Sequence, residues 1–199
     1  MSQESAEKIL NAAIDMIESG GEAAVRVNEL AQNAGLAVTA VYHYYGDRDG
    51  LIAAAQAARY IRSVRDFMAS HMVEVRACQS RDELRRYLQT FLAEVFSSSR
   101  AEARWSRVNV LGSAYARPAL QRAIADEQNA MFADTEKLWT DVKAKGFIRE
   151  AVDTAAIGPW YLSVITGRVI IEIPGTEVNP DAWNNLMYGI TDHYFFGQD

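Results

Sequence analysis

The sequence predicts an all-α fold of about nine helices. Three observations carry that expectation. Apolar residues recur at steps of three and four nearly everywhere. No stretch alternates apolar and polar residues in the manner of a half-buried strand. Glycines, prolines and short polar side chains stand where the periodic runs would start and stop. With 199 residues, 49% of them hydrophobic and 23% charged, the chain has the composition of a globular protein large enough for a substantial core. Cys78 is the single cysteine, so no disulfide forms within the chain and a reducing cytoplasm is expected. No apolar run reaches the roughly 18 residues a membrane span needs. The N-terminus lacks the basic and apolar regions of a secretion signal. No membrane partner is therefore expected.

The first helix is marked by Ala6, Ile9, Leu10, Ala13, Ile14 and Ile17 on one face, and Gly20-Gly21 ends it. Val27, Leu30, Ala31 and Ala34 mark a short second helix, stopped by Gly35. Val38, Val41, Tyr42 and Tyr45 mark a third, stopped by Gly46. Asp47 suits the N-cap of a long fourth helix, with Leu51, Ala55, Ala58, Ile61, Val64, Met68, Met72 and Val75 as its buried stripe. Ser80-Arg-Asp-Glu83 reads as a capping box. The apolar face Leu84, Tyr87, Leu88, Phe91, Leu92, Val95 and Phe96 follows it. A sixth helix is expected over about 101–114 with Trp105, Val108 and Leu111 inward. Pro118 opens a seventh that runs to Lys145. Asp153 caps an eighth, whose start Pro159 should delay or which it should kink. Val169–Ile173 is the best short strand candidate, although it continues a helical period. Residues 174–180 read as a loop, and Pro180 opens a ninth helix.

Residues 27–45 thus form helix, turn and helix, with Gly35 at the sharp turn. In a helix-turn-helix the second helix enters the DNA major groove while the first braces it. Val27, Leu30, Ala31, Leu36, Val41 and Tyr45 would form its small core. Thr39, Ala40, His43 and Tyr44 would face outward, and Tyr42 would lean from the core edge towards a phosphate.

The run from Val27 through Gly35, Tyr42 and Tyr45 to Gly46-Asp-Arg48-Asp-Gly-Leu51, after a matching first helix, resembles the TetR family of bacterial transcriptional regulators. The resemblance is specific over about residues 5–55. It implies an N-terminal three-helix head, residues 1–50, and a larger ligand-sensing and dimerisation domain, residues 51–199. By position it implies phosphate contacts from Tyr42, His43 and Arg48, and base-edge contacts from Asn28, Thr39 and Tyr44. Val38 belongs to the same DNA-facing set. Three positions depart from the family pattern. Arg26 replaces a capping Thr or Ser, with a charge that can itself reach a phosphate. Ala37 replaces a capping Ser, and Ala40 replaces a common Thr.

The charge is uneven. Residues 1–50 hold 3 basic and 8 acidic side chains, residues 51–107 hold 10 and 6, and residues 108–199 hold 7 and 12. The acidic head predicts weak non-specific DNA affinity, so binding would rest on dimerisation and good base contacts.

The remainder of the chain is far larger than a DNA-binding head needs. Two stretches, about 155–172 and 180–196, carry apolar residues nearly all round. They are therefore expected to be buried on more than one side, as in a homodimer interface. Trp105, Tyr115, Met131, Phe132, Trp139 and Trp160 suggest a pocket for a small, mostly apolar or aromatic effector. Asn109, Arg104, Arg107 and Arg168 are its polar candidates. Arg168, a charge in an apolar helix, needs a partner, and an ion pair across the dimer or an anionic ligand would supply one. His43, His71 and His193 share no ligand spacing, and nucleophile-elbow, phosphate-loop, dinucleotide and zinc motifs are missing from the sequence. No enzyme activity, metal or cofactor is expected. The expected function is that of a homodimeric repressor, released from a palindromic operator in double-stranded DNA by the effector. A helical ligand- or partner-binding protein with weak or lost DNA binding is the alternative.

Overall fold

The computed structural model describes residues 3–197. Among them are nine α-helices, three short 3-10 turns and no strand. The helices are α1 (Gln3–Gly20), α2 (Val27–Asn33), α3 (Val38–Tyr45), α4 (Arg48–Ala77), α5 (Arg81–Val95), α6 (Ala101–Ala114), α7 (Pro118–Ala144), α8 (Thr154–Gly167) and α9 (Pro180–Phe196).

The boundaries follow local chemistry. Asp47 Oδ1 accepts from Gly50 N at 2.7 Å at the head of α4. Ser80 Oγ accepts from Glu83 N at 3.2 Å, and the Glu83 carboxylate reaches back to Gln79 N at 2.7 Å. Asp153 caps α8 through Ala155 N, and Asn179 caps α9 through Asp181 N and Ala182 N. Each satisfies amides that a helix start leaves without partners.

The chain divides into two compact units. The first comprises residues up to Arg62 together with Val110–Ala125. Its apolar cluster is built from Ile9, Ala13, Ile14, Val25, Leu30, Ala31, Val41, Leu51 and Ile52. The Tyr45 hydroxyl donates to the Ala6 carbonyl at 2.7 Å, tying α3 to α1. The second unit comprises Ser63–Asn109 and the chain from Asp126 onward. Its core holds Leu84, Leu88, Phe91, Val95, Phe96, Trp139, Tyr161 and Phe195. The Trp139 and Phe195 rings stack at 4.8 Å, and Phe96 meets Trp183 edge-on at 4.8 Å.

Several expectations are corrected. α6 turns Arg104, Arg107 and Val110 inward, leaving Trp105 40% and Leu111 37% exposed. The guanidinium of Arg104 can be buried because it is fully engaged: it pairs with Glu172 and donates to the carbonyls of Val95 and Ser97. Pro159 does not delay α8, which begins at Thr154 right after its Asp153 cap. Val169–Ile173 forms no strand, since Arg168–Ile171 is a 3-10 turn continuing from α8. The partner of Arg168 lies in its own chain. Its Nε donates to Glu172 at 3.1 Å and its Nη1 to Asn184 Oδ1 at 2.7 Å, while the guanidinium packs over Trp183 and Phe96. Finally, residues 154–171 do make an 18-residue stretch long and apolar enough, by length and composition, to cross a membrane. They pass because α8 is apolar nearly all round, yet the stretch contains Pro159 and the paired Arg168.

Candidate functional site

The first unit presents the helix pair α2–α3. A turn at Gly35, whose φ of 68° lies in the left-handed region, lets the second helix leave sharply. Val41 and Ala40 anchor α3 on the head core. Ala40, expected to face outward, is therefore inward: it lies one helical turn before the half-buried Tyr44 and is buried with Val41 in the head core. Thr39, Tyr42 and His43 form the exposed face, with Tyr42 47% exposed. Asn28 is exposed at the start of α2. Val38 and Tyr44 are half-buried against the cluster, and the rings of Tyr44 and His43 meet edge-on at 5.3 Å.

Neither motif helix has a side-chain cap. Ala37 has no hydroxyl to offer, and the guanidinium of Arg26 turns back to the Ala23 carbonyl. Arg48 is engaged as well. Its Nε donates to the Val25 carbonyl at 3.0 Å and its Nη2 to the Glu22 carbonyl, so it staples the 3-10 turn Glu22–Ala24 to the start of α4. This head therefore spends on its own architecture a cation that was expected to reach phosphate.

The second unit encloses a cavity of about 40 Å³ lined by Val64, Met68 and His71 of α4, Phe91 of α5 and Arg107 of α6. Met131, Thr135 and Trp139 of α7, and Gly158, Tyr161, Leu162 and Ile165 of α8, complete it. That is the room of a few water molecules. The wall is almost wholly apolar. Thr135 spends its hydroxyl on the Met131 carbonyl at 2.8 Å. His71 stacks on Phe91 at 3.7 Å between centroids, and its Nδ1 lies 2.9 Å from the Tyr87 hydroxyl. Burial pushes the imidazole down to about 3, so His71 is neutral at physiological pH. Burial likewise raises the Tyr87 phenol to about 12, which keeps its proton available to the ring nitrogen. Among the described lining residues Arg107 is the one cation, with Nη1 3.3 Å from Thr166 Oγ1. At Gly158 a side chain would meet Phe132 Cδ1 at 3.0 Å and Thr135 at 3.4 Å, so α7 and α8 pack closely there.

Of the residues expected in a pocket, the structure brings Met131, Trp139 and the polar candidate Arg107 to the cavity. Phe132 closes the contact between α7 and α8 instead. Trp160 lines a separate cleft with Ala156, Ile157, Ile190 and Tyr194. Trp105, Asn109 and Tyr115 are exposed, Tyr115 by 88%, and Arg168 is held by Glu172 and Asn184. The signal that was available and missed is His71, which falls on the apolar stripe of α4 between Met68 and Val75. A second is Gly158, a glycine inside a predicted helix. Among the described residues no group of three or more His, Cys, Asp or Glu is placed to hold a metal ion.

Comparison with known proteins agrees with this geometry. Residues 9–55 match the family model described as bacterial regulatory proteins, tetR family. No curated protein matches by sequence. Among solved structures, a TetR-family transcriptional regulator from Rhodococcus sp. is 21% identical, with 97% of this chain and 99% of that one covered at a TM-score of 0.64. A TetR-family regulator from Mesorhizobium loti is 16% identical, with 97% of each chain covered at a TM-score of 0.68. A transcriptional regulator from Saccharomonospora viridis, solved in complex with choline, is 16% identical, with 98% of each chain covered at a TM-score of 0.65. At these identities the structural likeness speaks for the fold alone. Residues 9–55 are thus similar in sequence to the tetR-family head, and the whole chain shares the fold of the TetR-family regulators it matches.

Proposed function

We propose that the protein is a ligand-responsive transcriptional regulator of the cytoplasm: a homodimeric repressor that holds a palindromic operator and leaves it when a small effector binds. It is a binding protein and not an enzyme. Residues 1–50 are its DNA-binding domain, and residues 51–199 sense the effector and dimerise. The observation that carries the reading is α3, fixed to the head core by Ala40 and Val41 while Thr39, Tyr42 and His43 stay exposed. Tyr42 and His43 serve phosphates, and Thr39 and Asn28 reach base edges, with Val38 and Tyr44 supporting them. Arg26 is exposed beside this face, and Arg48 supports it from behind.

The effector enters the α4–α8 cavity. Its polar contacts are Arg107 and the neutral His71, and its body meets Phe91, Trp139 and Tyr161. That wall suits a compact aromatic or apolar molecule, and among the described residues its lining holds no carboxylate for a cation such as the choline of the Saccharomonospora protein. A cavity of about 40 Å³ is far below the few hundred Å³ that ligand sites usually offer. Binding and displacement of the wall are then one event, and the effector shifts the equilibrium by its preference for the opened state. α4 carries Val64, Met68 and His71 at the cavity and Leu51 and Ile52 in the head core, so the displaced wall and the head share one helix.

The test is selection of bound sequences from a random DNA pool at about 0.1 M salt, where screening still permits phosphate contacts. A protected palindrome is the expected result. The double variant Tyr42→Phe, His43→Ala should weaken binding about tenfold or more while leaving helicity and melting unchanged, since neither polar group supports the core. Absence of any enrichment by wild-type protein would favour the alternative, a helical ligand- or partner-binding protein, which the uncapped motif helices and the engaged Arg48 also fit.

A further inference from the structure

The head is the most acidic part of the sequence, with a net of −5 over residues 1–50. The compact unit that contains it is not. Adding residues to Arg62 and the hairpin tip Val110–Ala125 gives 7 basic and 8 acidic side chains, a net of −1. Two of the four arginines that make up the difference, Arg59 and Arg117, are placed on the head's carboxylates. Arg59 meets Glu18 at 3.4 Å.

Arg117, in the turn between α6 and α7, does more. Its Nε donates to Asp49 Oδ1 at 2.8 Å, and its Nη2 and Nη1 reach the two carboxylate oxygens of Glu22 at 3.0 and 3.3 Å. Nη1 also donates to the carbonyl and hydroxyl of Ser113 in its own hairpin. Glu22 is held from a second side by the fully buried Gln56, whose amide donates to it at 2.7 Å. Burial alone would raise the Glu22 carboxyl. Hydrogen bonds from Ser113 and Gln56, together with the Arg117 charge, hold it below the ordinary carboxylate range. Glu22 opens the 3-10 turn just before α2, and Asp49 lies in the first turn of α4 just after α3. One guanidinium therefore grips both ends of the helix-turn-helix.

We infer that Arg117 is a positioning residue of the DNA-binding head: it fixes Glu22 and Asp49 and offsets their charge. Losing it would weaken DNA binding through repulsion, although Arg117 is not itself proposed to touch DNA. This rests on the DNA-binding reading above. The mechanism has a signature that loss of packing lacks. Unmasked carboxylates repel phosphates over a distance set by salt, about 10 Å at 0.1 M and shrinking to about 3 Å at 1 M.

The full-length wild type, R117A, R117K and the triple variant R117A/E22Q/D49N are compared on a random-sequence duplex from about 0.05 to about 0.5 M salt. Circular dichroism checks the fold of each. R117A should bind about tenfold more weakly at low salt, with the gap closing as salt rises. R117K, which keeps the charge, should lose about threefold or less. The triple variant, which removes the exposed carboxylates as well, should recover to near wild type. R117A binding like wild type at low salt would overturn the inference, as would a triple variant no better than R117A. Hydrogen exchange separates this inference from the reading beneath it. If wild-type protein binds no duplex at any salt, the regulator reading falls. The grip of Arg117 is then decided by the amides of residues 22–27, which must exchange faster in R117A.

Discussion

His71 shows how a single side chain can link packing to pH. It is buried against Phe91, and burial alone lowers its pKa from the ordinary 6.5 to about 3. The unfolded chain takes up a proton near pH 6.5, while the folded chain does not until about pH 3. The folded state therefore has its full stability above about pH 6.5 and loses up to about 1.4 kcal/mol per unit as pH falls from there towards 3. His71→Phe keeps an aromatic ring on Phe91 and removes the proton. Urea titrations of both proteins between pH 7 and 4 should show wild type losing stability faster, and parallel curves would contradict the neutral, buried imidazole. The Arg104–Glu172 pair makes the complementary point. A buried charge is stable here because two carbonyls and a carboxylate take up its donors, so removing either partner would leave the other uncompensated.

Among the elements, α3 and α4 approach closely at their joint. A Cβ on Gly50 would stand 2.1 Å from the Tyr45 carbonyl oxygen, a backbone atom that cannot step aside cheaply. Gly50→Ala should therefore cost about 1–3 kcal/mol in head stability despite alanine's better helix propensity. Faster hydrogen exchange across residues 38–52 would report it, and a neutral or stabilised variant would show the approach to be looser. Helix limits were legible because caps, glycines and prolines are local devices: Asp47, Ser80 and Asp153 act within three residues of themselves, and Pro180 marks the start of α9. The facing of α6 was not legible. Its apolar and arginine residues lie all round the helix, and which side turns inward was decided by Glu172, 68 positions from Arg104. The helix-turn-helix face was largely readable from its period, apart from Ala40, and the role of Arg48 depended on carbonyls 23 and 26 residues away. The cavity was partly readable, through Met131, Trp139 and Arg107, because its remaining wall comes from α4, α5 and α8 packing together.

At the scale of the whole molecule, α9 leaves Leu186 58%, Ile190 42% and Tyr194 39% exposed, the last two lining a cleft with Trp160 of α8. A patch of this kind is unusual on a monomer, and the proposed repressor needs two heads about one DNA turn apart. Ile190→Asp should convert a dimer to a monomer at micromolar concentration, as read by sedimentation, with helicity retained and operator affinity lost. A variant that sediments like wild type would place the interface elsewhere.

Three helices, α4, α6 and α7, each contribute residues to both compact units. Val110, Ala114, Leu120 and Ile124 are buried members of the unit that holds the helix-turn-helix, yet they follow it by more than sixty positions. The head is thus not a detachable module. A fragment cut near residue 62 would lack that apolar face as well as Arg117, and a chimaera joined there would graft recognition helices without their support. Exchanging the helix-turn-helix between such proteins calls for three crossover points, one in α4 and a pair bracketing the α6–α7 turn.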